Sequence, residues 1–171
     1  MIKYILIMNE VLPPFSAQVK LFFTNPVFLA AVTSWLSAQF LKTAIKLILG
    51  KIHSFKELLE MMLWTTGGMP SSHSAMTTSL CVTLGFKCGI NSNIFVFSLM
   101  FFFVVIRDSF GVRRSSGIQA NKINQIGEEL KEKEVIKEFK KMKVVNGHTP
   151  MEVVCGCLLG ILIGLSYSLL Y

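Results

Sequence analysis

The sequence predicts an all-α fold: a polytopic membrane helical bundle of about four spanning helices, with amphipathic surface helices beside them. Three observations point there. Of the 171 residues 52% are hydrophobic, and the mean hydropathy is +0.57. Only 16% are charged, against roughly 25% in a soluble domain. Four stretches without Asp, Glu, Lys or Arg, namely Leu21 to Leu41, Met61 to Phe86, Cys88 to Ile106 and Val153 to Tyr171, are long enough, or nearly so, to cross about 30 Å of hydrocarbon. A single domain over residues 1–171 accommodates them all.

Taken in order, "MIKYILIMNEVLPP" has one lysine, a short apolar run and no small-residue cleavage site, so it makes a poor signal peptide and is expected to be retained. The first strong span covers Val27 to Leu47, with Lys42 and Lys46 on one face near its end, where lysines reach toward the interface. A shorter amphipathic helix is expected from Ser54 to the pair Gly67 and Gly68. Pro70 precedes a helix beginning at Ser71 or Ser72 and running to about Phe86. "KCGINSN" makes a tight reversal, and the apolar run that follows stops at Arg107 and Asp108.

From Gly111 to Val145 the chain turns polar. Glu129 stands four before Lys133, and Val135, Phe139 and Met142 form one stripe, the pattern of a helix lying on the membrane surface. "NGHTP" breaks that helix and opens the last span, in which Gly156, Gly160 and Gly164 recur on one face and permit close helix packing. Cys81, Cys88, Cys155 and Cys157 have spacings that fit neither a zinc site nor a disulfide framework, and read as small buried hydrophobes.

The formal charge of +7 does not indicate nucleic acid, because the basic residues are not interleaved with base-stacking aromatics. Anionic membrane lipid or phosphate is the expected partner. Alternating spans bring Lys42, "GGMPSSH", "RDSFGVRR" and "NGHTP" to one membrane face. Together they supply the cations Lys42, Arg107, Arg113 and Arg114, two histidines, Glu152, and two helix N-termini rich in small residues. Free amides at helix starts, with arginines, make a phosphate site. Two histidines in such a site suggest a nucleophile and a general acid. Arg113 and Arg114 point about 100° apart on a helix, which favours Arg114, on the face of Arg107, for phosphate and leaves Arg113 to pair with a carboxylate or a lipid headgroup. Asp108 is expected in an ion pair with an arginine, since no second carboxylate sits at metal-ligand spacing. "TPME" at 149–152 is in its own right a capping box, a role compatible with a second one for Glu152. His53 is read as a bystander, and Gln119, Asn121 and Asn124 as supports for the arginine-bearing segment.

"GGMPSSHSA", "RDSFGVRRSSGIQANKIN" and "NGHTPMEVVCG" resemble the signature blocks of the divergent branch of the type 2 phosphatidic acid phosphatase superfamily, related to vanadium haloperoxidases. The resemblance runs from about Asn25 to Gly164, with three motifs in register. It implies His148 as the nucleophile, Glu152 as its orienting carboxylate and His73 as the general acid. It further implies Lys42, Ser71 and Ser72 as phosphate ligands, with no metal and no cofactor, and a lipid phosphate as substrate. The chain departs from the superfamily pattern in having Leu49 and Gly50 for an arginine and proline, Ser72 for glycine, Met142 for an arginine, and Glu152 for Asp. Arg113 or Arg114 is expected to stand in for the missing arginine. A membrane protein that binds anionic lipid without turnover is the alternative. All basic residues except Lys3, Lys20 and Lys87 fall on the motif side, which puts the site on the cytoplasmic face, in a bacterial inner membrane.

Overall fold

A computed structural model describes residues 12–50, 54, 68–144 and 147–171, with the side chain of Phe110 left aside. His53, the N-terminal stretch before residue 12 and residues 55–67 of the expected amphipathic helix lie outside the described residues.

Among the described residues every regular element is a helix. The helices are α1 (Phe15–Phe23), α2 (Pro26–Ile48), α3 (Ser72–Cys88), α4 (Asn93–Arg107), α5 (Arg113–Glu132) and α6 (Pro150–Leu170), with a π-helical turn at Asp108–Val112 between α4 and α5. Each boundary has a local cause. Asn25 accepts a 2.8 Å hydrogen bond from the Val27 amide ahead of Pro26 at the first helical position, which separates α2 from α1. Ser71 caps α3, and Gly89 ends it with φ of +83°. Ser92 then caps α4, completing the reversal expected from "KCGINSN".

Two helices, α2 with 23 residues and α6 with 21, are long and apolar enough to cross a bilayer. The other two expected spans are shorter as helices: α3 has 17 residues and α4 has 15. α3 is the centre of the bundle. It packs most extensively on α6, then on α2 and α4, while α2 and α6 also meet each other. Ser79 donates from Oγ to the Ala30 carbonyl, tying α3 to α2, and the Thr33 and Tyr167 hydroxyls meet at 2.9 Å between α2 and α6.

The interior is built from small and polar side chains. The largest fully buried ones are Thr77, Thr83, Ser34, Ser71, Ser74 and Ser79, whereas Phe97, Phe101, Phe103, Val104, Leu158 and Leu162 face outward. A water-soluble core would reverse that distribution. In lipid, close backbone approach and interhelical polar contacts hold helices together instead. The glycines of α6 supply the approach: Cβ atoms at Gly156 and Gly160 would run into the Ser71 and Ala75 carbonyls of α3, and one at Gly164 would meet Val82 Cβ at 2.9 Å. Of the four cysteines, all free, only Cys81 is buried.

One expectation is refined and another corrected. The third apolar span ends as an α-helix at Arg107, as expected, but the backbone stays helical beyond it. The π-turn carries it on into α5, because Asp108–Val112 keep helical dihedrals with one extra residue in the turn. The surface helix expected to reach Met142 ends at Glu132. Glu134 takes φ of 57°, the Val135 amide bonds the Leu130 carbonyl at 2.9 Å and the Glu134 amide bonds that of Lys131 at 3.0 Å. That is a Schellman ending with glutamate where glycine is usual. The chain then returns along α5 as a strap: Asn124 bonds both the amide and the carbonyl of Met142, Phe139 lies over Gly127, and Lys141 pairs with Glu128.

The glycine contacts give a direct test. Gly160→Val should push α6 off α3 and lower the stability of the detergent-purified protein by at least about 1–3 kcal/mol, the usual cost of overpacking. Gly111→Ala, where an added Cβ meets nothing within 4 Å, should stay within about 0.5 kcal/mol of wild type. Thermal unfolding of both variants checks this, and equal losses would contradict the packing.

Candidate active site

The site forms where α3 and α6 both begin. Ser71 caps α3, accepting from the Ser74 amide at 3.4 Å and from the Ser74 hydroxyl at 3.0 Å. Thr149 caps α6 in a complete capping box with Glu152. One bond joins the two starts: the Ser71 amide donates to the Glu152 carbonyl at 2.9 Å. Ser72 and His73, the first two residues of α3, have amides without intrahelical acceptors, because no helical turn precedes them.

Glu152 has two tasks. Its Oε2 accepts from the Thr149 amide at 3.1 Å, as a capping box requires, and the same oxygen lies 2.8 Å from His148 Nδ1. A carboxylate only accepts, so the ring proton belongs on Nδ1 and the lone pair on Nε2. His148 is 8% exposed, and its backbone is fixed too, the amide donating to the Ser109 carbonyl in the π-turn at 3.0 Å. Gly147 just before it lies on the backbone of Arg113 and Arg114, where no side chain would fit. The nucleophile candidate is therefore gripped from α6 and from the π-turn at once.

The cations arrive from α2 and from the start of α5. Lys42 is only 3% exposed, and among the described residues its ammonium has one hydrogen-bond partner, the Ser72 hydroxyl at 3.5 Å. A buried ammonium with so little compensation is costly unless an anion joins it. Lys42 also lies within electrostatic range of Glu152. His73 is exposed and lies within electrostatic range of Arg113, His148, Lys42 and Asp108. Segments from α2, α3, the π-turn and the start of α6 thus come together around the head of α3.

Arg113 meets Asp108, Nε to Oδ2, at 2.5 Å, the ion pair expected of Asp108. The two are five apart, the period of a π-turn, so the inserted residue stacks them. Arg113 thus pairs with a carboxylate as expected, while the inserted residue changes the seven-residue relation of Arg114 to Arg107. Arg107 and Arg114 are exposed and make no ion pair among the described residues. Asn124 serves the strap and not the arginines. Met142 sits on that strap, against α5. Sequence reasoning missed Ser109 and Gly147 as supports for His148. Only the glycine beside the histidine signalled them.

Residues 23–163 match the sequence model of the Divergent PAP2 family. An uncharacterized membrane protein of Bacillus subtilis, YuiD, is 33% identical over 152 residues, covering 83% of this chain and 93% of the relative. No solved structure matches.

The geometry predicts the state of His148. With ¹⁵N-labelled histidine, NMR should report the Nδ1–H tautomer for His148. Thr149→Ala should cost about 1 kcal/mol of stability and keep that tautomer, whereas Glu152→Ala should lose it. An Nε2–H tautomer in the wild type would contradict the contact.

Proposed function

The chain belongs to the divergent PAP2 family, and from that premise we propose that it is a membrane hydrolase that removes phosphate from a lipid phosphate monoester or diphosphate through a phosphohistidine at His148, with no metal cofactor. The observation that carries this reading is the 2.8 Å contact of His148 Nδ1 with Glu152 Oε2, which leaves Nε2 with its lone pair in a cationic surrounding.

In the first step Nε2 of His148 attacks phosphorus, the bond from phosphorus to the lipid oxygen breaks, and His73 gives that oxygen a proton. Glu152 stabilises the charge that develops on the His148 ring. In the second step water attacks the phosphorus, the P–N bond breaks, and His73 takes up the water's proton. Lys42, Arg113 and the amides of Ser72 and His73 hold the phosphoryl oxygens through both steps, with the hydroxyls of Ser71 and Ser72 beside them. Arg107 and Arg114 act further out, on a second phosphate or on neighbouring anionic lipid.

Leu49, Gly50 and Met142, standing where the superfamily pattern has other residues, favour a second reading: the same cradle binds anionic lipid without turnover. The two readings separate in one assay. With phosphatidate, phosphatidylglycerophosphate and polyprenyl phosphates and diphosphates, in EDTA, the enzyme reading expects phosphate release that His148→Ala abolishes. His73→Ala should slow it by about 10²–10⁴-fold and Arg113→Ala by about 10²–10³-fold. Release that survives His148→Ala contradicts the mechanism; lipid binding with no release supports the binder.

We also propose that the site faces the cytoplasm in a bacterial inner membrane. The bacterial relative is a membrane protein, and the basic residues crowd the site side. In a variant with its four cysteines replaced by alanine, Lys133→Cys should resist an impermeant maleimide in intact cells and react after lysis. Labelling in intact cells overturns the orientation.

A further inference from the structure

Asp108 poses a problem that its ion pair does not answer by itself. The charged and titratable groups within electrostatic range of His73 are Arg113, His148, Lys42 and Asp108, and of these only Asp108 is acidic. A carboxylate beside a phosphate site repels the ligand, so its presence there needs a cause.

Stability is a poor one. The side chains of Asp108 and Arg113 are 40% and 49% exposed, and an ion pair in that setting contributes little. Side chains on an α-helix meet at a spacing of three or four residues. Asp108 and Arg113 are five apart and meet because the π-turn lies between them, a rare conformation that is frequent at functional sites.

The geometry of the pair supplies the cause. Asp108 holds Arg113 twice: the Arg113 amide donates to the Asp108 carbonyl, and Arg113 Nε donates to Asp108 Oδ2 at 2.5 Å. Nε is one edge of the guanidinium, and a contact there leaves both terminal nitrogens, with their N–H donors, for a second acceptor. Among the described residues nothing else bonds them. Such a fork can bind a phosphate through two parallel hydrogen bonds. The backbone of the pair is itself fixed against the candidate nucleophile. The Ser109 carbonyl, next to Asp108, accepts from the His148 amide, and Gly147 lies on the backbone of Arg113 and Arg114.

We propose that Asp108 is a positioning residue for phosphate: it grips the Nε edge of Arg113 and presents the terminal nitrogens to the phosphoryl oxygens of a ligand at His148. Asp108 acts through Arg113 and touches no reacting atom. Ordering a long side chain before the ligand arrives lowers the cost of binding, and that gain outweighs the repulsion from the carboxylate. The inference rests on the reading of this site as a phosphate site, and it holds for a hydrolase and for a lipid binder alike.

The sign of one effect tests it. Binding of inorganic phosphate to the full chain in mild detergent, followed by ³¹P NMR titration, should weaken several-fold in Asp108→Ala, although that change removes a negative charge from an anion site. In an Arg113→Ala background the same change should tighten binding or leave it unaltered, because no arginine is left to aim. Asp108→Asn, which keeps an acceptor for Nε, should fall between Asp108→Ala and wild type, and it carries the test if the alanine variant misfolds. Equal or tighter binding than wild type in Asp108→Ala, tighter binding in Asp108→Asn, or the same weakening by Asp108→Ala with and without Arg113 overturns the proposal and leaves the phosphate site standing. A wild type that binds neither inorganic phosphate nor phosphatidate overturns the site and the proposal with it.

Discussion

Glu152 joins the starts of two helices and the candidate nucleophile. Its carboxylate oxygen caps α6 and holds His148, while its carbonyl receives the first amide of α3. Helix capping, side-chain orientation and helix–helix registry are ordinarily separate problems. Here one residue at the third position of a helix solves all three, so the site cannot be displaced without loosening the ends of two helices. Charge has a part as well: a carboxylate near Lys42 offsets some of the cost of burying that ammonium.

Such a junction needs α3 and α6 close enough for backbone to meet backbone. The glycine stripe of α6 and the serines and threonines of α3 supply that closeness, and neither would serve in water, where a core of hydroxyls would bury little apolar surface. The bilayer makes the arrangement workable. Phenylalanines and leucines face outward, and the small polar interior carries its order up to the interface, where the capped ends become the site. The π-turn plays the matching role from the other side, its Ser109 carbonyl holding His148 and its extra residue stacking Arg113 on Asp108.

Much of this was legible in the sequence because the signals were local. Thr149, Pro150 and Glu152 announce their cap, the glycines their packing face, and "KCGINSN" its reversal. The π-turn was not legible. Asp108 to Val112 carry no proline or other breaker inside an apolar-to-polar transition, and an abrupt charge reads as a helix end. Missing the inserted residue altered the relation of Arg114 to Arg107, although the pairing of Arg113 with a carboxylate was legible. The end of α5 was hidden for a different reason: Glu134 takes a left-handed conformation that glycine would have advertised, and the strap's bonds to Asn124 and Gly127 are tertiary. The starts of α3 and α4 were legible, at Ser71 or Ser72 and in the reversal, although the uncharged stretches around them run longer than the helices.

The central claim is that His148, oriented by Glu152, takes the phosphoryl group. Rapid mixing of the purified protein with a cleavable lipid phosphate, followed by alkaline quench and peptide mass spectrometry, examines that step alone. The account predicts a phosphoryl adduct on His148 that is stable to base, labile to acid, and formed within a single turnover. Turnover with no adduct there, or with the adduct on another residue, would contradict it.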